Sequence, residues 1–319
     1  MANRDTEMEQ RKITLIGAPV ELGAGLRGCA MGPGAMRISG LAETLAALGH
    51  DVADSGDAEL AAVSHVGIAG NARNADNIVG WARALEAAAY ATLQEGRLPI
   101  FMGGDHALAM GTVSGAARHA RDSGRPLCVI WLDAHADFNT PATSESGNMH
   151  GMPVAYYCGE PGFDGVLGED RALVDPANVF MLGIRSVDDR ERHLIAERRV
   201  PGFDMRAIDE FGIAPIVRRI LTHIEWTGAM LHVSLDVDFL DPIIAPGVGT
   251  TVSGGANLRE AHLIMEMLCE SGLTTSMDLA ELNPYLDERG KSARLLTDLT
   301  ASLFGRKVLD KVASLSSIS

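Results

Sequence analysis

The sequence predicts an α/β fold: three layers, with helices covering both faces of a central parallel sheet. Short, near-continuous apolar runs of strand length recur along the chain, and longer stretches with helical spacing separate them. A strand apolar on both sides must be covered on both sides, which is the signature of a parallel sheet between helix layers. Glycine adds to this, at 35 of 319 residues. That is roughly 11% against a usual ~7%, as tight turns at many strand ends require.

The elements follow in order. After a polar tail over residues 1–11, Lys12–Ala18 (KITLIGA) reads as a buried strand. Met31-Gly32-Pro33 opens a helix, Pro33 suiting its first turn. Apolar strands recur at 99–102, Leu127–Leu132, Val179–Ile184, 230–235 and 273–279. Leu258, Ala261, Ile264, Met265 and Leu268 form one helical face. Ala293, Leu296, Leu299, Thr300 and Leu303 form another, stopped by Gly305 with Arg306 and Lys307 just beyond. No repeat, low-complexity tract or shift in composition marks a boundary, so one domain is expected over 12–312, with a short tail at 313–319.

Several function classes fall away. No run approaches 18 apolar residues, as a membrane span requires. The opening MANRDTEMEQRK lacks the apolar core of a secretory signal. Cys29, Cys128, Cys158 and Cys269 form no C-x-x-C and read as reduced thiols, so a cytoplasmic protein is expected. Lys and Arg number 27 against 42 Asp and Glu, a net charge of −15. That balance opposes nucleic acid and anionic membranes and attracts a small cationic substrate.

In an open parallel sheet, ligands sit beyond the carboxyl ends of the strands. Three of those ends carry the same chemistry. IFMGG is followed by Asp105 and His106, LCVIWL by Asp133, His135 and Asp137, and MLHVSL by Asp236 and Asp238. Extended backbone puts residues two apart on one side, so Asp133, His135 and Asp137 are expected to converge, as are Asp236 and Asp238. Crowded carboxylates need a cation among them, and these segments hold no Lys or Arg. A metal is the natural source. His106, Asp133, His135, Asp137, Asp236 and Asp238 are too many ligands for one catalytic zinc, which takes about three. They suit two divalent ions sharing carboxylates, and a thiolate-free, oxygen-rich set leans toward manganese. Taken singly, an Asp-x-Asp at a strand end is more often a turn or a helix cap; three together argue for a site.

Other signals carry less. Gly23-Ala-Gly25-Leu-Arg-Gly28 matches a dinucleotide fingerprint, but the helix opens too late, and a plain loop is expected. His50, His65, His119, His193, His223 and His262 lack any ligand context. His232, on the strand before Asp236, reads as a packed polar residue.

At the strand-end residues the chain resembles the ureohydrolases, manganese enzymes that hydrolyse guanidino groups to urea, and within them the arginases, especially bacterial ones. The resemblance runs from Gly17-Ala-Pro19 and Met31-Gly-Pro33 to the C-terminal helix. It implies a sheet of about eight strands and a cluster of two Mn2+ on the six residues above. It also implies a substrate-binding loop over 139–151, in which Asn139, Ser144 and Ser146 contact an α-carboxylate. Ser144 stands where many relatives carry threonine, and the hydroxyl is kept. Asp188 matches the residue that takes the α-ammonium group, Glu281 the carboxylate facing the guanidinium, Thr250 a residue of the guanidinium pocket, and His150 a proton-shuttling histidine. Cys29-Ala30 departs from the acidic residue common before Met-Gly-Pro. The implied reaction is hydrolysis of L-arginine to L-ornithine and urea by a metal-bridging hydroxide, with Asp137 accepting a proton or hydrogen bond. A homo-oligomer, trimer or hexamer, is implied too; Arg259 and Glu260 fall where related trimers make subunit contacts, though a solvated ion pair explains them equally. The alternatives are an agmatinase or other guanidino-acid ureohydrolase, a non-catalytic arginine-binding regulator, and a zinc deacetylase on a related fold.

Overall fold

The computed structural model describes residues 10–168 and 170–308. Most of the expected N-terminal tail and all of the tail at 313–319 lie outside them. The first half of the chain forms β1 (Lys12–Ala18), α1 (Gly32–Ile38), α2 (Leu41–Ala47), β2 (Asp51–Asp57), α3 (Ala75–Gln94), β3 (Leu98–Gly103), α4 (Ala109–Asp122), β4 (Leu127–Leu132) and α5 (Pro153–Tyr157). The second half forms β5 (Val179–Ile184), α6 (Asp189–Arg198), β6 (Gly202–Asp204), α7 (Met205–Phe211), α8 (Ile213–Thr227), β7 (Met230–Asp236), α9 (Leu258–Ser271), β8 (Thr274–Ala280) and α10 (Lys291–Leu303).

The eight strands make one sheet in the order β2-β1-β3-β8-β7-β4-β5-β6. Every pairing is parallel. Strand alternation divides the core in two. Ile13, Leu15, Ile100, Ile130, Val233 and Met277 face one way, against Met36, Ile220, Ile264 and Leu296 of the helices. Phe101, Val129, Trp131 and Met181 face the other, against Val79, Leu85 and Val113 of α3 and α4. On that second face the polar residues His232, Ser234 and Asp236 of β7 are all buried. His232 is packed as expected: its ring bonds to Ser276 Oγ (2.8 Å) and Asp278 Oδ2 (3.0 Å).

Two strands have no apolar signature in the sequence. β2 (DVADSGD) is an edge strand with mostly exposed side chains, and Arg37 of α1 ties it down by pairing with Asp54 (2.8 Å) and Asp57 (2.6 Å). Charged residues on an edge oppose pairing with another sheet. β6 is three residues long. The helix after Met31 begins as expected, with Pro33 in its first turn. Asn257 opens α9 through a capping box closed by Glu260, so that carboxylate is engaged within its own helix. Among the described residues no helix is long and apolar enough to cross a membrane.

Candidate metal centre

One local device ends three strands. Asp105, Asp133 and Asp236 each turn Oδ1 back to accept the backbone N–H two residues on, from Ala107 (3.1 Å), His135 (2.6 Å) and Asp238 (2.8 Å). An aspartate does this readily where the sheet ladder stops supplying acceptors. The device changes how the candidate ligands meet. They do not share one side of an extended strand, as the sequence led us to expect. β4 ends at Leu132, the chain bends at Asp133 and Ala134, and Asp137 adopts a left-handed φ of 49°. Asp236 and Asp238 meet across the 3-10 turn Val237–Phe239. The turn and the candidate ligand are therefore the same residue, not alternatives.

All six candidate ligands come together. His106 Nδ1 lies 3.0 Å from Asp133 Oδ2, 3.0 Å from Asp236 Oδ2 and 3.4 Å from Asp137 Oδ2. Its Nε2 bonds to Ser234 Oγ (2.9 Å), and Trp131 stacks on its ring at 4.0 Å, which together aim Nδ1 at the acids. His135 Nδ1 lies 3.0 Å from Asp238 Oδ2 and 3.4 Å from Asp133 Oδ1. Two trios result, His106–Asp133–Asp137 and Asp133–His135–Asp238, each with its ligand atoms within 4.8 Å of one another. They share Asp133.

The donor set fits metal ions on an observation of its own. His106 Nδ1 and Asp133 Oδ2 are fully buried and have no aligned hydrogen bond among the described residues. Leaving such a group unpaired costs about 1–3 kcal/mol, more when charged, so both atoms want a cation. Burial drives Asp137 and Asp236 well above the usual carboxylate range. It works against His106 as well, but Asp133 and Asp236 outweigh it and hold the imidazole well above its ordinary value. Arg185 lies nearby, but its guanidinium donates to backbone oxygens of Gly183 (3.1 Å), Asp238 (2.6 Å) and Val252 (2.7 Å). Imidazole nitrogen and carboxylate oxygen without thiolate suit manganese or another divalent ion of its class.

Beside the cluster, Glu281 follows β8 with a left-handed φ of 63°. Its Oε1 accepts from the His106 N–H (2.9 Å) and pairs with His150 Nδ1 (2.8 Å). Burial pushes both groups toward neutrality; their mutual attraction wins, lowering Glu281 and raising His150. Among the described residues Glu281 Oε2 meets only the Cys29 thiol, at 3.6 Å, and burial holds that thiol protonated.

A cavity of about 130 Å³ opens above the cluster. Its walls carry His135, Asp137, Asp236, Asn139, Ser144, Ser146, His150, Asp188 and Thr250, all singled out from sequence. Glu281, 2% exposed, lies behind His150 and off the wall. Thr250 Oγ donates to Asp238 Oδ2 (3.2 Å). Ser144 Oγ accepts from Gly147 N (3.0 Å) and Ser146 Oγ from Asn148 N (3.1 Å), so each hydroxyl keeps its proton to donate. Asn139 Nδ2 donates to Asp188 Oδ2 (3.0 Å).

Asn148 and Gly151 of the expected loop also line the wall, and sequence reasoning missed two wall residues, Ser186 and Glu191. Glu191 had a signal, because Asp188-x-x-Glu191 is a capping box and closes as one at the start of α6. It also accepts Phe138 N (2.7 Å), and burial lifts its pKa to about 7. In the glycine-rich loop the N–H groups of Gly23 and Ala24 are engaged by Asp105 Oδ2 (2.8 and 3.1 Å).

A model of the arginase family matches residues 11–305. The arginase of Brucella melitensis is 53% identical over 298 residues, covering 93% of this chain and 97% of its own. That of Agrobacterium fabrum is 52% identical over 309 residues, covering 97% and 95%. Among solved structures, the native arginase from Bacillus caldovelox superposes with a TM-score of 0.85 at 39% identity, covering 94% of this chain and all of the other.

Proposed function

The chain belongs to the arginase family, and from that footing we propose that it hydrolyses L-arginine to L-ornithine and urea at a centre holding two manganese ions. The observation that carries this reading is the pair of ligand trios sharing Asp133 beneath a cavity walled by serine hydroxyls and a carboxylate. The polarity of that cavity matches arginine end to end. Guanidinium meets the acidic floor, the α-carboxylate meets Ser144, Ser146 and Asn139, and the α-ammonium group meets Asp188.

His106, Asp133, Asp137 and Asp236 would hold one ion, and Asp133, His135 and Asp238 the other. Bound there, the ions supply water activated for attack near neutral pH and balance the four carboxylates. The chain's own residues do the rest. The family resemblance gives Glu281, seated behind His150, the role of pairing with the guanidinium, and Thr250 lines its pocket. Asp137 accepts a proton or hydrogen bond as the tetrahedral centre forms. His150 is fixed through Nδ1 by Glu281, so Nε2 is left to protonate the departing amine or to pass a proton to solvent. The reading extends to one catalytic domain over 12–312 and a cytoplasmic location, which rest on the composition and the cysteine pattern, and to a homo-oligomer, which rests on the family resemblance.

The test is urea release from L-arginine, agmatine and 4-guanidinobutyrate with added manganese. Arginine is expected to be the preferred substrate, with two manganese ions per chain by elemental analysis. Faster release from agmatine, or no turnover at all, overturns the proposal.

A further inference from the structure

Residues 70–74 precede α3, far in sequence from the loop that carries Ser144 and Ser146, yet they are bonded along its back. Asn71 N donates to Pro141 O (2.8 Å), and Arg73 N to Gly147 O (2.8 Å). Between them, the Asn71 side chain donates to two consecutive carbonyls, Ser144 O (3.2 Å) and Glu145 O (3.0 Å). Asn74 Nδ2 fixes the other end of the segment to Leu22 O (2.9 Å). The fit is close: Gly147 has a φ of 73°, and a Cβ there would meet Asn71 Oδ1 at 2.3 Å.

We propose that Asn71 is a positioning residue for the substrate's α-carboxylate, acting through the backbone on which Ser144 and Ser146 sit. The inference rests on the arginine reading above. Among the described residues, the only side-chain bonds at these serines are the ones their own oxygens accept from Gly147 N and Asn148 N. Those turns set each hydroxyl relative to its neighbours, not relative to the cluster. The distance from the loop to the metal centre is set instead by what anchors it from behind. Between the two backbone anchors, where Arg190 Nη1 also donates to Ala142 O (3.4 Å), Asn71 supplies the donors from outside the loop for the consecutive carbonyls of Ser144 and Glu145. A primary amide has two N–H groups in one plane, so it can serve both carbonyls; a carboxylate of the same shape would repel them.

Asn71 does not line the cavity and meets the wall only from behind, through the Ser144 backbone, so its loss should leave chemistry alone and loosen recognition of one end of the substrate. The experiment compares wild type, Asn71→Ala and Asn71→Asp, all loaded with manganese, in three measurements: KM and kcat for L-arginine, inhibition by L-ornithine, and inhibition by 1,4-diaminobutane, which is ornithine without its carboxylate. Both variants are expected to raise KM and the L-ornithine inhibition constant about tenfold, with kcat within about twofold and diaminobutane inhibition unchanged. Asn71→Ser, which keeps one donor, should recover part of the loss. Equal weakening of both inhibitors, or a fall in kcat at unchanged KM, overturns the proposal. If Asn71→Ala does not fold, Asn71→Ser and Gly147→Ala disturb the same contact from its two sides and give the same split. Absence of urea from the wild type would instead fail the arginine reading itself, so the two failures are distinct.

Discussion

The floor of the cavity and its rim hold their polar groups in opposite ways. On the floor, five of the six candidate ligands are buried, each within a few residues of a strand end that the sheet fixes. Their neighbours are other side chains of the cluster, and two atoms, His106 Nδ1 and Asp133 Oδ2, have no aligned hydrogen bond among the described residues. On the rim, Ser144 and Ser146 sit on irregular backbone, kept in place by turns of two to four residues and by Asn71 from outside. The floor is expensive to build and tolerates nothing, because a buried charge must be paired. The rim is cheap and adjustable, because a lost hydrogen bond there is replaced by water. The cost of a substitution should therefore fall steeply from floor to rim.

The largest effect belongs to Asp133, which both trios use. Asp133→Asn should lower kcat by more than about 10³-fold, since metal activation supplies several kcal/mol of barrier lowering. Manganese content should fall with it. Removing divalent ions by chelation should abolish urea release and lower Tm, and added manganese should restore both, because a ligand that binds only the folded chain stabilises it. A chain that keeps full activity after exhaustive chelation would break the comparison at its base.

His150 comes next, at the boundary between the regions. It is held by Glu281 but coordinates nothing in the cluster. His150→Asn removes a proton carrier, a loss of about 10²-fold in kcat, while metal content and KM stay near their wild-type values. A fall in manganese content of the same size would move His150 from proton transfer to metal support.

Ser144→Ala tests the rim. One hydroxyl donating to a carboxylate contributes about 1–1.5 kcal/mol, so KM for L-arginine should rise about five- to tenfold with kcat little changed. Inhibition by 1,4-diaminobutane should not move. A kcat loss rivalling that of His150→Asn would erase the distinction between floor and rim.

The sequence reveals these regions unequally, for physical reasons. The floor is legible because a parallel strand buried on both sides must be apolar, so a run of Asp and His just past LCVIWL or MLHVSL stands out. What periodicity misreads is the route, since it cannot foresee that Asp133 and Asp236 bend the chain by capturing N–H groups two residues on. The rim gives no period at all, so Asn139, Ser144 and Ser146 are found only by resemblance. Asn71 has neither signal; its role depends on contacts more than seventy residues away. β2 is missed because its charges read as loop, and it is a strand only because β1 offers it an edge.

Glu191 gives the smallest expected effect on turnover and the most specific test of how the rim meets the core. It is 3% exposed, and burial raises its pKa from 4.5 to about 7 although Phe138 N and Asp188 N both donate to it. Between those values the folded chain keeps a proton that the unfolded chain has released. Stability from this group is therefore present below about pH 4.5 and is lost as pH rises toward 7. Glu191→Gln cannot titrate and keeps an acceptor for one of the two N–H groups. The stability of wild type relative to this variant should decline by about 3 kcal/mol between pH 4 and pH 8. Tm measured across that range for both proteins, at fixed manganese, shows it directly. The difference must shrink or reverse with rising pH, because a pH-independent difference would mean that Glu191 stays ionised in the fold and that the rim beside Asp188 is wetter than its burial implies.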